Sequence, residues 1–113
     1  MTTMTKEQKS KIEMLERFLT TNGISYYRDF ISKKRDIKAE LYIPQHRILV
    51  KVSEGEEKDN IFYKAVKYGF HPLFVRDTET KEFVLEKMQN LIIKCMREEQ
   101  TNYQRQFNKE NGL

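Results

Sequence analysis

The sequence is poor in the residues that staple, break or anchor a chain. Its 113 residues include one cysteine, Cys95, two prolines, four glycines and no tryptophan. One cysteine makes no internal disulfide and excludes a four-cysteine zinc site, so a reducing cytoplasm is the expected compartment. The two histidines, His46 and His71, lie too far apart in sequence to form a metal-ligand pair by spacing, and read as surface or packing residues. No apolar run nears the roughly 20 residues that cross a bilayer, so no membrane partner is expected. Met1 to Lys11 is polar where a secretory leader needs an apolar stretch. There is no Gly-rich phosphate loop, no Gly-x-Ser-x-Gly and no Ser-His-Asp order.

An excess of one charge is also lacking. Lysine and arginine number 21 against 17 aspartates and glutamates, a net charge of +4. That balance permits nucleic-acid binding without demanding it. What is present suits one domain: 38% hydrophobic residues supply a core, and 34% charged residues supply a wetted surface.

Periodicity divides the chain into seven elements. Thr5-Lys6-Glu7-Gln8 reads as a capping box, and Ile12, Leu15, Phe18 and Leu19 then fall on one helical face. Lys6, Lys9, Lys11 and Arg17 read as that helix's wet side. Asn22-Gly23 ends it, with Ile24 as the apolar contact after the cap. Gly23 to Ile31 is β-branched and aromatic enough for a strand. Ile37 to Ile43 alternates, with Ile37, Ala39, Leu41 and Ile43 on one side, and Arg47 to Val52 is a near-continuous apolar run. The short connections between these three strands predict an antiparallel meander.

Ser53-Glu54-Gly55-Glu56 resembles a second capping box and predicts a helix from about Glu56 to Tyr68, with Ile61, Phe62, Ala65 and Val66 inward and Gly69 at its end. His71 to Arg76 is a fourth strand. Asp77 or Thr78 is the expected cap of a last helix, with Glu79 and Glu82 in its first turn and Val84, Met88, Leu91, Ile92 and Cys95 as its stripe. Cys95 reads there as a small core hydrophobe. The expected organisation is one domain over residues 1–97. Residues 98–113, where only Tyr103 and Phe107 are apolar and suitably spaced, form a polar tail or a helix extension.

The order is α-β-β-β-α-β-α: an α/β (α+β) domain with a mixed four-stranded sheet flanked by helices. The stretches Leu19-Thr20-Thr21-Asn22-Gly23-Ile24, Ala39-Glu40-Leu41-Tyr42-Ile43-Pro44, Ile48-Leu49-Val50-Lys51-Val52-Ser53-Glu54-Gly55 and Gly69-Phe70-His71-Pro72-Leu73-Phe74-Val75-Arg76 carry a family likeness. Over about residues 12 to 96, the chain resembles the restriction-endonuclease-like (PD-(D/E)XK) fold, and within it the small very-short-patch mismatch-repair endonucleases.

The resemblance implies a nuclease centre in which two acids on neighbouring strands hold Mg²⁺ and a lysine assists. Glu40 stands in the first acid's place. Strand three departs from the pattern: Leu49, or Lys51 and Ser53, occupy the places where the second acid belongs. Two readings follow. Either Glu40 and Lys51 are a vestigial catalytic pair joined by a cross-strand salt bridge, with no cofactor, or Glu54, Glu56 or Glu57 swings in beside Glu40 and restores Mg²⁺ binding and nuclease activity.

Apart from that centre, Lys33-Lys34-Arg35, flanked by Arg28 and Lys38, is the densest basic cluster. It is either a solvated turn or a grip for nucleic-acid phosphates, with Tyr26 and Tyr27 available to stack on bases. Tyr63, Tyr68 and Phe70 are either core margin or an aromatic patch. The expected function is a non-catalytic nuclease-fold domain that binds nucleic acid or a protein partner. The alternatives are an active Mg²⁺-dependent nuclease and a module that forms a homodimer through a sheet edge or the last helix.

Overall fold

A computed structural model describes the backbone of residues 4–53 and 60–110, and the side chains of these except 60–63 and 102–110. Helix α1 (Lys6–Thr21) opens on the expected capping box: Thr5 Oγ1 accepts from the Gln8 amide, and Gln8 Oε1 accepts from the Thr5 amide. It closes on Gly23 at φ 68°, with Ile24 N–H donating to Leu19 O at 2.8 Å and Gly23 N–H to Thr20 O at 3.1 Å. That paired pattern needs a left-handed residue, which glycine supplies without strain.

The chain then lays down β1 (Tyr27–Ser32), β2 (Ile37–Ile43) and β3 (Ile48–Ser53), crosses through α2 (Asn60–Lys67), adds β4 (His71–Arg76) and ends in α3 (Lys81–Glu110). The four strands form one sheet in the order β1-β2-β3-β4. The first two pairings are antiparallel, and β3 and β4 run parallel, Ile48 beside His71 through Ser53 beside Arg76.

Two packed layers follow from strand alternation. On one face, Leu41, Ile43, Ile48, Val50, Leu73 and Val75 meet Ile12, Leu15 and Leu19 of α1 and Val84, Met88, Ile92 and Cys95 of α3. On the other, Leu49 joins Ala65 of α2 and Phe70, with Phe30 and Tyr42 at the margin. Ile37 and Ala39 pack in this second layer although they share a periodicity with Leu41 and Ile43. The change of side falls at Glu40. Opposite it lies Asp29, between the Arg28–Leu41 and Phe30–Ala39 pairs, with a left-handed φ of 50°. Backbone in that region bends a strand, and the far half of the β1–β2 hairpin turns onto α2.

Several local expectations are corrected. Strand β1 begins at Tyr27, not Gly23, because the Ile24 amide is spent capping α1. Helix α3 begins at Lys81, with Thr80 Oγ1 accepting from the Phe83 amide. Asp77 is not its cap, since α1 claims it: Gln8 Nε2 donates to its carboxylate at 2.8 Å and Lys11 Nζ to its carbonyl at 3.2 Å. Glu79 lies before the helix and accepts from the Arg76 amide at 2.8 Å.

Lys11 is not on the wet side of α1. It is 1% exposed, its ammonium held by the carbonyls of Arg76 and Asp77. Val66 points outward rather than into the core. The second capping box and the inward Ile61 and Phe62 lie outside the described residues and side chains. Among the described residues, no helix is long and apolar enough to cross a membrane.

Candidate nucleic-acid interface

Glu40 sits where β2 changes side. Its Oε2 accepts from the Val52 amide at 2.8 Å, and its Oε1 lies 3.7 Å from Lys51 Nζ. The carboxylate thus substitutes for a main-chain acceptor just beyond the Leu41–Val50 pair, and the cross-strand ion pair with Lys51 is present. Glu40 also lines a cleft of about 240 Å³ between α1 and the β1–β2 hairpin, together with Lys9, Glu13, Glu16, Arg28 and Asp29.

Within that cleft, Glu16 is buried and already engaged. It accepts from Tyr26 Oη at 3.0 Å and from Arg28 Nε. The Glu16 hydrogen bond, with its charge, raises the Arg28 guanidinium above its ordinary value. Among the described residues, no three His, Cys, Asp or Glu side chains are grouped to hold a metal ion. Glu54, Glu56 and Glu57, the acids available to restore a Mg²⁺ site beside Glu40, lie outside the described residues.

The basic residues named from the sequence divide. Arg28 faces α1 and is tied to Glu16. Lys33, Lys34, Arg35 and Lys38 lie on or beside the β1–β2 turn, and the bend brings that turn over α2. Asp36, in the turn, pairs with Lys64 of α2 at 2.7 Å, and this hydrogen bond and charge hold its carboxyl below the ordinary range. The Arg35 guanidinium lies 5.2 Å from the Tyr68 ring centre and 5.4 Å from that of Phe70. From the β2–β3 turn, Arg47 stacks 4.4 Å over Phe70 and donates to the carbonyls of Tyr68 and Gly69. Lys67 approaches Tyr68 at 5.7 Å. Cations on aromatic rings are attracted by the ring's negative face, which fixes these flexible side chains in place.

The resulting face gathers Arg35, Arg47, Lys64 and Lys67 around Tyr68 and Phe70, with Lys33 and Lys34 in the same turn. Lys38 alternates with Ile37 and Ala39, which pack toward α2, and so lies on the other side of the strand. Three of the gathered cations were not singled out from the sequence. Lys64 and Lys67, three residues apart in the last turn of α2, were legible as a basic helix end. Arg47 carried no comparable signal, since only the fold sets it beside Phe70.

Among the aromatics, Tyr27 lies exposed on this face, stacked on Tyr42, while Tyr26 turns away to Glu16. Phe70 is core and Tyr68 is partly exposed, whereas the side chain of Tyr63 lies outside those described.

Each histidine lies beside an α3 acid: His46, buried, is 3.0 Å from Glu99, and His71 is 3.9 Å from Glu98. The fold draws together what the sequence separates, since the His71 amide donates to the carbonyl of Arg47, next to His46, at 2.8 Å. Cys95 is buried in the core, and burial with the nearby Glu98 and Glu99 pushes its thiol pKa up. Comparison with protein-family models, curated proteins and solved structures gives no match.

Proposed function

We propose that this chain is a nuclease-like domain that binds nucleic acid through the basic face of the β1–β2 turn and α2, and that it does not cut what it binds. The observation that carries the reading is the seating of Arg35 and Arg47 on Tyr68 and Phe70, which gathers cations from two turns and a helix onto one surface. Such a surface attracts phosphates irrespective of sequence, and its affinity falls with salt as counterions are released. The non-catalytic part of the reading is supported by Glu40, whose two oxygens are committed to the Val52 amide and to Lys51. A hard cation such as Mg²⁺ needs several free oxygens.

Titration of labelled DNA and RNA at several salt concentrations, with and without Mg²⁺ or Mn²⁺, tests both parts. The wild type is expected to give a linear log–log salt plot. The triple variant Lys33→Ala, Lys34→Ala, Arg35→Ala is expected to reduce its slope by about 2, at roughly 0.7 per phosphate contact on a single strand. Glu40→Ala is expected to leave affinity unchanged or slightly raised. Metal-dependent loss of full-length label that Glu40→Ala abolishes would instead establish a working nuclease. No binding at low salt would remove the nucleic-acid reading altogether.

A further inference from the structure

Three rings on this face differ in what lies over them. Phe70 is buried, and both Arg35 and Arg47 lie over its ring. Tyr68 has Arg35 and Lys67 over it. Tyr27 differs: it is 62% exposed, and no described cation lies over its ring. It is also firmly backed. Its ring lies 6.4 Å from Tyr42 at an interplanar angle of 17°, Tyr42 meets Phe30 at 4.5 Å and Phe70 edge-on at 5.7 Å, and Phe70 leads to the two guanidiniums. The rings therefore form a continuous row with an open ring at one end and positive charge at the other.

An open ring held on a strand presents a flat apolar surface at little entropic cost, because cross-strand packing already fixes its orientation. A duplex keeps its bases stacked on each other and offers such a ring no base face. A single strand offers one with every nucleotide, and base stacking on an aromatic side chain is sequence-tolerant.

We infer that this face takes single-stranded nucleic acid, one base stacking on Tyr27 while neighbouring phosphates lie against Arg35, Arg47 and the turn lysines. The inference rests on the proposed nucleic-acid binding and specifies its substrate class.

The test is a fluorescence-anisotropy titration with a labelled single-stranded oligothymidylate and a labelled hairpin duplex of equal charge. It compares the wild type with Tyr27→Leu and Tyr27→Phe, urea midpoints confirming that both variants fold. The wild type should prefer the single strand. Tyr27→Leu should weaken single-strand binding about tenfold, with duplex affinity and salt slope unchanged, and Tyr27→Phe should bind like the wild type. Equal affinity for both probes, or a Tyr27→Leu variant that binds the single strand unchanged, overturns the stacking inference but leaves a phosphate-binding face. Failure of the wild type to bind either probe at low salt removes the proposed function and this inference together.

Discussion

A buried ammonium is costly unless its hydrogens find acceptors, and Lys11 finds them in two backbone carbonyls at the exit of β4, at 3.0 and 3.2 Å. The contact ties α1 to β4, where the Arg76 carbonyl also accepts from the Glu79 amide at 3.1 Å. Replacing Lys11 by Met keeps the length and removes the donor. Stability to urea should fall by about 1–3 kcal/mol.

Glu79 makes a similar link with opposite charge, accepting from the Arg76 amide and from Lys87 Nζ. Burial pushes its carboxyl up, but the Lys87 hydrogen bond, the Arg76 amide and the neighbouring positive charges outweigh burial and hold it below the ordinary 4.5. A carboxyl lowered by folding stabilises the fold above its ordinary pKa. That contribution is lost as pH falls through the folded value. Thermal melts from neutral pH down to about pH 3 should therefore show an acid limb that is shallower in Glu79→Gln, which should also lose about 1–2 kcal/mol at neutral pH.

The elements end where left-handed residues permit. Gly69, at φ 80°, closes α2 with the same bond pair seen in α1: Phe70 N–H donates to Ala65 O at 2.7 Å and Gly69 N–H to Val66 O at 3.0 Å. A Cβ there meets only Arg47 side-chain atoms, at 3.8 and 3.9 Å, so the cost of a substitution is backbone strain, not collision. Gly69→Ala should cost about 1–2 kcal/mol in urea denaturation. It should also disturb the proposed nucleic-acid binding, because Arg47 is held by the Tyr68 and Gly69 carbonyls.

At the start of α3, the Thr80 hydroxyl caps the helix by accepting from the Phe83 amide at 3.1 Å. Thr80→Ala should cost about 1 kcal/mol by the same measurement.

For the molecule as a whole, a net charge of +4 understates the field at the β1–β2 turn, where positive side chains from three segments converge. Asp36 is the carboxylate within that turn, kept ionised by Lys64. Its ion pair is exposed and contributes little to stability. Asp36→Asn should consequently leave the urea midpoint nearly unchanged while, under the proposed function, raising nucleic-acid affinity severalfold at low salt, the gain shrinking as salt is added. Anisotropy titrations at two ionic strengths check this.

What the sequence by itself determined is local and periodic. The capping box at Thr5, the Gly23 and Gly69 stops, the order of four strands and three helices, and the core stripe of Val84, Met88, Ile92 and Cys95 all follow from residues within one or two turns of each other. The Glu40–Lys51 pair was legible for the same reason, since an antiparallel register fixes which side chains face across two strands. The tertiary structure alone decided what depends on bending and docking. No periodicity announces that the hairpin turns at Asp29 and Glu40, that Lys11 is drawn under the end of β4, or that Asp77 is claimed by α1 and the cap passes to Thr80. The basic face is of this kind too: the turn's charges were visible, but their junction with Arg47, Lys64 and Lys67 required the fold to bring together residues as far apart in sequence as Lys33 and Lys67. Long-range electrostatic and ring contacts carry no sequence period, so only the folded geometry reveals them.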